Sequence, residues 1–167
     1  MRRSLALLFG LLVLGGCNYG FSGGGGFPSS IKTIFVEPFE NETVYFDLPQ
    51  LVYEELFSEL PRRLGVRPAG REVADVIVRG RIVGYDDVAR NYTPGGADRP
   101  SQVLEHEVQV SIAIQLIDTK RNVILWESSR LTGRGTYNLA SQTFEDGRAV
   151  AIQDLTRQIV DGAQSQW

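Results

Sequence analysis

Cysteine and histidine are almost absent from this sequence. Its 167 residues include one cysteine, Cys17, and one histidine, His106. A single cysteine cannot form a disulfide bond within the chain. The two counts also exclude most zinc sites and any metal site with two histidines. We therefore predict that the protein binds no metal.

Long runs of positive charge are also missing. The formal net charge is -3, and basic and acidic residues are mixed along the chain. Proteins that bind nucleic acids usually carry a basic patch, so this chain is predicted to have no nucleic-acid partner. Hydrophobic residues make up 43% and charged residues 22%, which is typical of a globular protein.

Motifs of catalysis are lacking as well. The sequence contains no G-x-S-x-G, no H-E-x-x-H and no phosphate-binding loop. His106 stands alone in a predicted strand, where a structural role is favoured, and Glu37, Glu40 and Glu42 are interpreted as a solvated loop. We predict no catalytic residue, no cofactor and no enzymatic activity.

The N-terminus has the pattern of a targeting segment. Two arginines after Met1 precede an apolar run from Ser4 to Leu14. This run is too short to cross a bilayer and fits the apolar region of a signal peptide. It ends in Leu14-Gly15-Gly16-Cys17, which resembles the bacterial lipobox. We predict that residues 1–16 are a signal peptide and that Cys17 carries acyl chains such as palmitate; the alternative is a plain secretory signal with a chance cysteine.

A glycine-rich segment follows the cysteine. Residues 17–30 contain four consecutive glycines flanked by small polar residues, a composition typical of a flexible tether. The remaining residues, 31–167, have the length of one ordinary domain. The sequence therefore predicts a lipidated N-terminus, a tether and a single folded domain.

Hydrophobic periodicity predicts six elements in that domain. Alternating or β-branched segments indicate strands, and apolar residues at every third or fourth position indicate helices. The predicted elements are a strand at Ile31–Glu37, a helix from Asp47 to about Gly65, a strand at Ala74–Tyr85 that continues toward Tyr92, a strand at Val103–Ile117, a strand at Val123–Thr132 that continues toward Tyr137, and a helix at Ser141–Ala163.

The order β-α-β-β-β-α predicts an α+β fold with two layers. The first β-α-β unit places two strands parallel, whereas the later strands are joined by hairpins and are antiparallel. Two amphipathic helices then cover one face of a four-stranded mixed sheet. Within the second helix, Ser141 is the predicted cap and Gly147 is a weak point.

Three stretches of the sequence resemble the lipopolysaccharide-assembly lipoprotein family called LptE. The first is Cys17 with the aromatic-containing segment after it. The second runs from Phe27 to Thr43 and is similar to a pattern of proline, a short gap, I-K-T-I, a hydrophobic pair and P-F-x-N-x-T. The third is Ala74–Ile82, which is similar to A-D-x-x-x-x-G-x-I. The predicted element order also agrees with the family fold.

The resemblance implies an outer-membrane lipoprotein on the periplasmic side. Such a protein partners and partly plugs the β-barrel LptD, and it assists the passage of lipopolysaccharide into the outer leaflet. A barrel lumen is polar, and one face of the Val103–Ile117 strand is polar too, which is compatible with a plug but equally with any sheet that has one wet face.

Lipopolysaccharide carries phosphates, which favour arginine partners. The candidate contact residues are Arg79, Arg81, Arg90, Arg99, Arg130 and Arg134. Each could equally be a surface residue paired with a glutamate on a neighbouring strand. Two other functions stay open from the residues alone: an outer-membrane lipoprotein that acts as an envelope scaffold or protein-binding module, and a lipid-anchored hydrolase.

Overall fold

The computed structural model describes residues 27, 30–93 and 102–165. Cys17, the predicted signal peptide, nearly all of the predicted tether and Arg99 lie outside these residues. The described elements in chain order are β1 (Thr33–Val36), β2 (Glu40–Asn41), α1 (Leu48–Leu64), β3 (Arg67–Pro68), a 3₁₀ turn (Arg71–Val73), β4 (Val76–Thr93), β5 (Gln102–Asp118), β6 (Val123–Asn138) and α2 (Phe144–Gln164).

The strands form one mixed sheet in the order β3-β1-β4-β5-β6. The short strand β2 also pairs with β4, on the same edge of β4 as β1. Strands β1 and β4 are parallel, and Ile34 lies opposite Val76. The β4–β5 and β5–β6 pairs are antiparallel. This arrangement confirms the predicted two-layer α+β fold, with the short strands β2 and β3 added to the four that the periodicity indicates.

Helix α1 packs on the sheet through leucine and valine side chains at every fourth position. Leu48, Val52, Leu56 and Leu60 are at most 1% exposed. The helix continues through Pro61 to Leu64 and ends where Gly65 adopts a positive φ of 70°. Only glycine adopts this conformation readily, which explains the stop. Phe57 of the same helix lies outside this buried stripe and is 47% exposed.

Helix α2 covers the β5–β6 side of the same face. Ile152, Leu155 and Ile159 are buried, as the periodicity predicts. The predicted cap at Ser141 is wrong. The helix starts after Thr143, whose backbone N–H donates to the Asp146 carboxylate at 2.8 Å. This capping box fixes the first turn two residues later than the sequence interpretation placed it.

Candidate functional site

One face of the sheet is covered by the helices, and the described elements leave the other face uncovered. Along β5, Val108, Val110, Ile112, Ile114 and Leu116 are buried against the helices. The residues between them, Glu107, Gln109, Ser111 and Gln115, point the other way. We call this second surface the open face. Its polar composition confirms the alternation that the sequence predicts.

Five of the six candidate arginines lie on or beside the open face. Arg79 and Arg81 pair with Gln115 and Ala113 across β4–β5, and Arg134 pairs with Gln109 across β5–β6. Arg90 reaches the same face through its contact with Glu107. Arg99 lies outside the described residues. The topology therefore gathers residues that are up to 55 positions apart, since Arg79 and Arg134 are on outer strands of the same three-stranded region.

Most of these arginines are already paired with carboxylates. Arg79 Nε lies 2.8 Å from Glu37 Oε2, and Arg81 Nε lies 3.1 Å from Glu42 Oε1. These partners come from the β1–α1 region and not from β5.

A second group of ion pairs centres on Glu107. Its Oε1 is 2.6 Å from Arg90 Nη2 and 3.9 Å from Arg134 Nε. The hydrogen bond from Arg90 is the main cause that lowers the pKa of Glu107 below its usual range. Glu107, which is 8% exposed, therefore hydrogen-bonds one arginine over β5 and lies within ion-pair distance of a second.

Arg130 differs from the other described candidates because it has no carboxylate partner among the described residues. It lies in a bulge of β6 that faces Ala113. Its Nη1 is 3.8 Å from the position that a Cβ on Gly84 would occupy, close to Ser111. The guanidinium of this exposed side chain therefore lies near Gly84 and Ser111, where it is open to an anionic ligand.

An open groove of about 710 Å³ runs along this part of the open face. Arg79, Arg81, Gln115, Glu127 and Ser129 are among the residues that line it. Its walls mix two cations, the two carboxylates of Glu40 and Glu127, neutral polar groups and apolar groups. The groove is shaped to contact a polar ligand, but it does not enclose one.

His106 belongs to a small polar cluster at the other end of β5. Its Nδ1 lies 2.7 Å from Asp87 Oδ1, and the Tyr137 hydroxyl donates to Asp87 Oδ2 at 2.8 Å. Burial, with help from Asp87, raises the pKa of Tyr137 to about 12. This cluster contains no serine, threonine or cysteine nucleophile, and it ties three strands together.

Glu37 corrects one sequence interpretation. The sequence places it with Glu40 and Glu42 in a solvated loop, but it is only 9% exposed. Its carboxylate contacts both Arg71 and Arg79. The sequence does not predict this contact, because both arginines lie more than thirty residues away.

The segments that carry the family resemblance have structural roles in the sheet. Asp75 accepts hydrogen bonds from the backbone N–H groups of Lys32 and Thr33. A Cβ on Gly80 would lie 2.4 Å from Phe39, whose ring therefore packs directly on the strand backbone.

Asn41, the last residue of β2, also has a structural role. Asn41 Oδ1 accepts hydrogen bonds from the backbone N–H and the hydroxyl of Thr43. This turn shapes the chain before α1. The motif residues thus hold the fold, while the open face is built by residues outside the motifs.

The described residues contain neither a cluster of metal-ligating side chains nor a helix that could span a membrane. No three His, Cys, Asp or Glu side chains are grouped closely enough to hold a metal ion there. Among the described helices, neither is both long and apolar enough to span a bilayer.

The family model described as lipopolysaccharide-assembly, LptE, matches residues 31–164. This chain belongs to the LptE family. The match covers the whole sheet and both helices, so the resemblance that the sequence segments indicate is confirmed. LptE proteins are lipopolysaccharide-assembly lipoproteins, which sets the class of function for the chain.

Solved structures with low sequence identity share the fold. The hypothetical protein CT253 from Chlamydia trachomatis has a TM-score of 0.54 at 14% identity, covering 81% of this chain and 97% of that protein. A protein described as a homologue of the neuraminyllactose-binding hemagglutinin from Helicobacter pylori has a TM-score of 0.51 at 13% identity, covering 84% and 87%. A search of curated proteins finds no match to the chain. At these identities the likeness concerns the fold alone.

Proposed function

We propose that this LptE-family chain is a non-catalytic lipoprotein of the outer membrane that assists the assembly of lipopolysaccharide into the outer leaflet. It is anchored on the periplasmic side through acyl chains on Cys17, and its partner is a β-barrel of the LptD type that it partly plugs. The observation that carries the proposal is the family match over residues 31–164.

The anchor follows from the N-terminal sequence. A lipid on Cys17 contributes about 0.8 kcal/mol for each buried methylene, and a single acyl chain holds a protein only marginally. Two or three chains on one residue give stable attachment. The thirteen residues between Cys17 and Ile31 then let the folded part sit away from the membrane surface.

The open face supports the barrel partnership. A barrel lumen is polar, so a plug needs a polar outer surface and a separately packed core. The alternation along β5 supplies both, with Val108 and Val110 facing the helices and Glu107 and Gln109 facing outward. Glu107 is satisfied by arginines, which avoids an unpaired charge when a partner covers the face.

Arg130 is the best-placed residue for a phosphate of lipopolysaccharide. Its guanidinium has no carboxylate to displace, whereas Arg79, Arg81, Arg90 and Arg134 must exchange an existing partner. A guanidinium binds phosphate through two parallel hydrogen bonds, which are stronger than those of neutral donors. Arg99 stays in the proposal as a candidate contact.

The Arg130→Ala variant tests this contact. We expect its affinity for purified lipopolysaccharide to fall by about tenfold or more, because a hydrogen-bonded charge contributes about 1.5–3 kcal/mol and 1.4 kcal/mol corresponds to tenfold. The measurement is a titration of fluorescent lipopolysaccharide followed by anisotropy.

Arg67→Ala is the matched control. Arg67 is also exposed and has no ion pair to the described residues, but it lies in β3 at the opposite edge of the sheet. We expect it to bind like the parent chain. Equal losses in both variants would mean that the affinity reflects overall charge and not a site at Arg130.

A further inference from the structure

The loop between β2 and α1 exposes three consecutive apolar side chains, Val44, Tyr45 and Phe46. We call them the apolar tip. Val44 is 78% exposed and Phe46 is 92% exposed, and neither belongs to the core that the sheet and helices share. Contiguous apolar surface on a soluble domain usually marks a place of contact with another molecule.

The apolar tip is braced by hydrogen bonds at its base. The Asn41 side-chain amide donates to the carbonyl of Tyr45 at 2.9 Å, and the Tyr45 N–H donates to the Thr43 hydroxyl at 3.2 Å. The Tyr45 ring also packs on Tyr85, with ring centroids 4.2 Å apart. The backbone polar groups of Tyr45 are therefore bonded already, which lowers the cost of moving the loop into an apolar environment.

The charges on both sides of the apolar tip are neutralised. Glu42 pairs with Arg81 at 3.1 Å, and Asp47 pairs with Arg148 at 2.7 Å. Arg148 also lies over the ring of Phe144, which is 46% exposed at the start of α2. An unpaired carboxylate would oppose transfer to a low dielectric, and neither flank presents one.

We propose that the apolar tip docks on a lipid surface and inserts Val44 and Phe46 at the boundary between the headgroups and acyl chains. Single side chains that project from a loop need no matching pocket in a bilayer, whereas a protein partner must supply one. Tyrosine, here Tyr45, favours the membrane interface, and phenylalanine is among the residues that bury at the boundary between headgroups and acyl chains. Because the flanking charges are paired, the preferred surface is uncharged phospholipid.

The chain outside the described domain permits this docking. The segment between Cys17 and Ile31 can extend to about 45 Å. An anchored Cys17 therefore leaves the apolar tip free to reach the same bilayer. The inference goes beyond the barrel partnership, since it depends on the loop alone.

The test uses the mature chain from residue 17 with Cys17→Ser, so that no acyl chain holds it to lipid. It is sedimented with sucrose-loaded vesicles of phosphatidylcholine. We expect lipid-dependent sedimentation, and we expect Phe46→Ser to raise the lipid concentration for half-maximal binding by about tenfold or more. The control is Phe57→Ser, which removes an exposed aromatic ring from α1 and should leave that concentration unchanged.

Equal unfolding midpoints for the three chains will show that the variants stay folded. Failure of the parent chain to sediment, or equal losses from Phe46→Ser and Phe57→Ser, would overturn the inference. So would a dimer, seen by sedimentation velocity, that Phe46→Ser dissociates, because the tip would then be an interface between two copies. A photoreactive residue in place of Phe46 that captures a protein, with no vesicle binding, would assign the tip to a protein partner. The assay contains no β-barrel, so none of these outcomes supports or contradicts the proposed barrel partnership.

Discussion

Asp75 joins the start of β1 to the β5–β6 turn through a single carboxylate. Its Oδ2 accepts hydrogen bonds from the N–H groups of Lys32 and Thr33 and from the Thr33 hydroxyl. Its Oδ1 lies 2.6 Å from Lys120 Nζ. The Lys120 contact is the largest cause that holds the pKa of Asp75 well below its usual range, and the backbone donors add to it.

Asp75→Asn should lower the free energy of unfolding by about 2–3 kcal/mol at neutral pH, because charge-assisted hydrogen bonds are lost. A lowered pKa in the folded state adds stability above the unfolded value of about 4, and this contribution is lost as the pH falls toward the folded value. The variant should therefore show less loss of stability between neutral pH and pH 3 than the parent. Urea unfolding at a series of pH values measures this.

Asp86→Asn is the control for that experiment, since Asp86 is exposed on the same strand and its carboxylate has no hydrogen bond or ion pair to the described residues. It should follow the parent at every pH. An Asp75→Asn chain with unchanged stability would show that this carboxylate does not hold the strands together.

Single residues also show where sequence reasoning ends. The segments around Thr33 and Asp75 could be recognised as family patterns, but their hydrogen bonds join positions 42 apart. The candidate arginines could be chosen from their chemistry. The sequence could not show which of them is unpaired, because the bulge that places Arg130 near Gly84 depends on the register of three strands.

At the scale of the elements, α2 lies unusually close to β6. A Cβ on Gly133 would be 2.1 Å from the carbonyl oxygen of Ala151, and one on Gly135 would be 2.1 Å from that of Gly147. The helix backbone therefore rests directly on the strand. Gly147 was predicted to be a weak point of the helix, and the structure gives its purpose, since a Cβ there would be 2.6 Å from the Tyr137 ring.

Gly133→Ala should destabilise the protein by about 1–3 kcal/mol, because the added methyl must push the helix backbone away from the strand. Chemical denaturation followed by circular dichroism measures this loss. Gly70→Ala is the matched control, since nothing lies within 4 Å of the added atom. If the two variants unfold at the same denaturant concentration, the close packing of α2 on β6 is not what the structure indicates.

The same helix also protects the edge of the sheet. Asp154 accepts a hydrogen bond from the backbone N–H of Arg134, and Gln158 donates to the carbonyl of Thr132. These groups lie on the outer side of β6, where an unpaired strand could recruit another chain. Periodicity predicts the strand and the helix but not this contact, which depends on how the two elements pack.

For the whole molecule, the sequence predicts the two layers of the fold but not the short strands β2 and β3 or the apolar tip. The long strands and both helices carry clear apolar periods, and each is present in the structure. Strands β2 and β3 have two residues each, which is too short to show any period. The apolar tip is likewise not predicted, because Val44, Tyr45 and Phe46 lie between two predicted elements, and three residues are too few to show a period.

We propose that the whole molecule is an LptE-family domain that works by surface contact. Its family, its fold and its polar open face agree with a role beside an outer-membrane barrel. The alternative, an envelope scaffold with another partner, would use the same anchor and the same fold. The identity of the bound partner separates the two.

Isolation of the full-length chain, through a C-terminal affinity tag, from native outer membranes in mild detergent is the most direct test. We predict that mass spectrometry will identify a large β-barrel of the LptD type in stoichiometric amounts with the chain, and that the Cys17→Ala variant will be depleted from the outer-membrane fraction. A chain that is isolated from those membranes without such a barrel, alone or with other envelope proteins, would contradict the account.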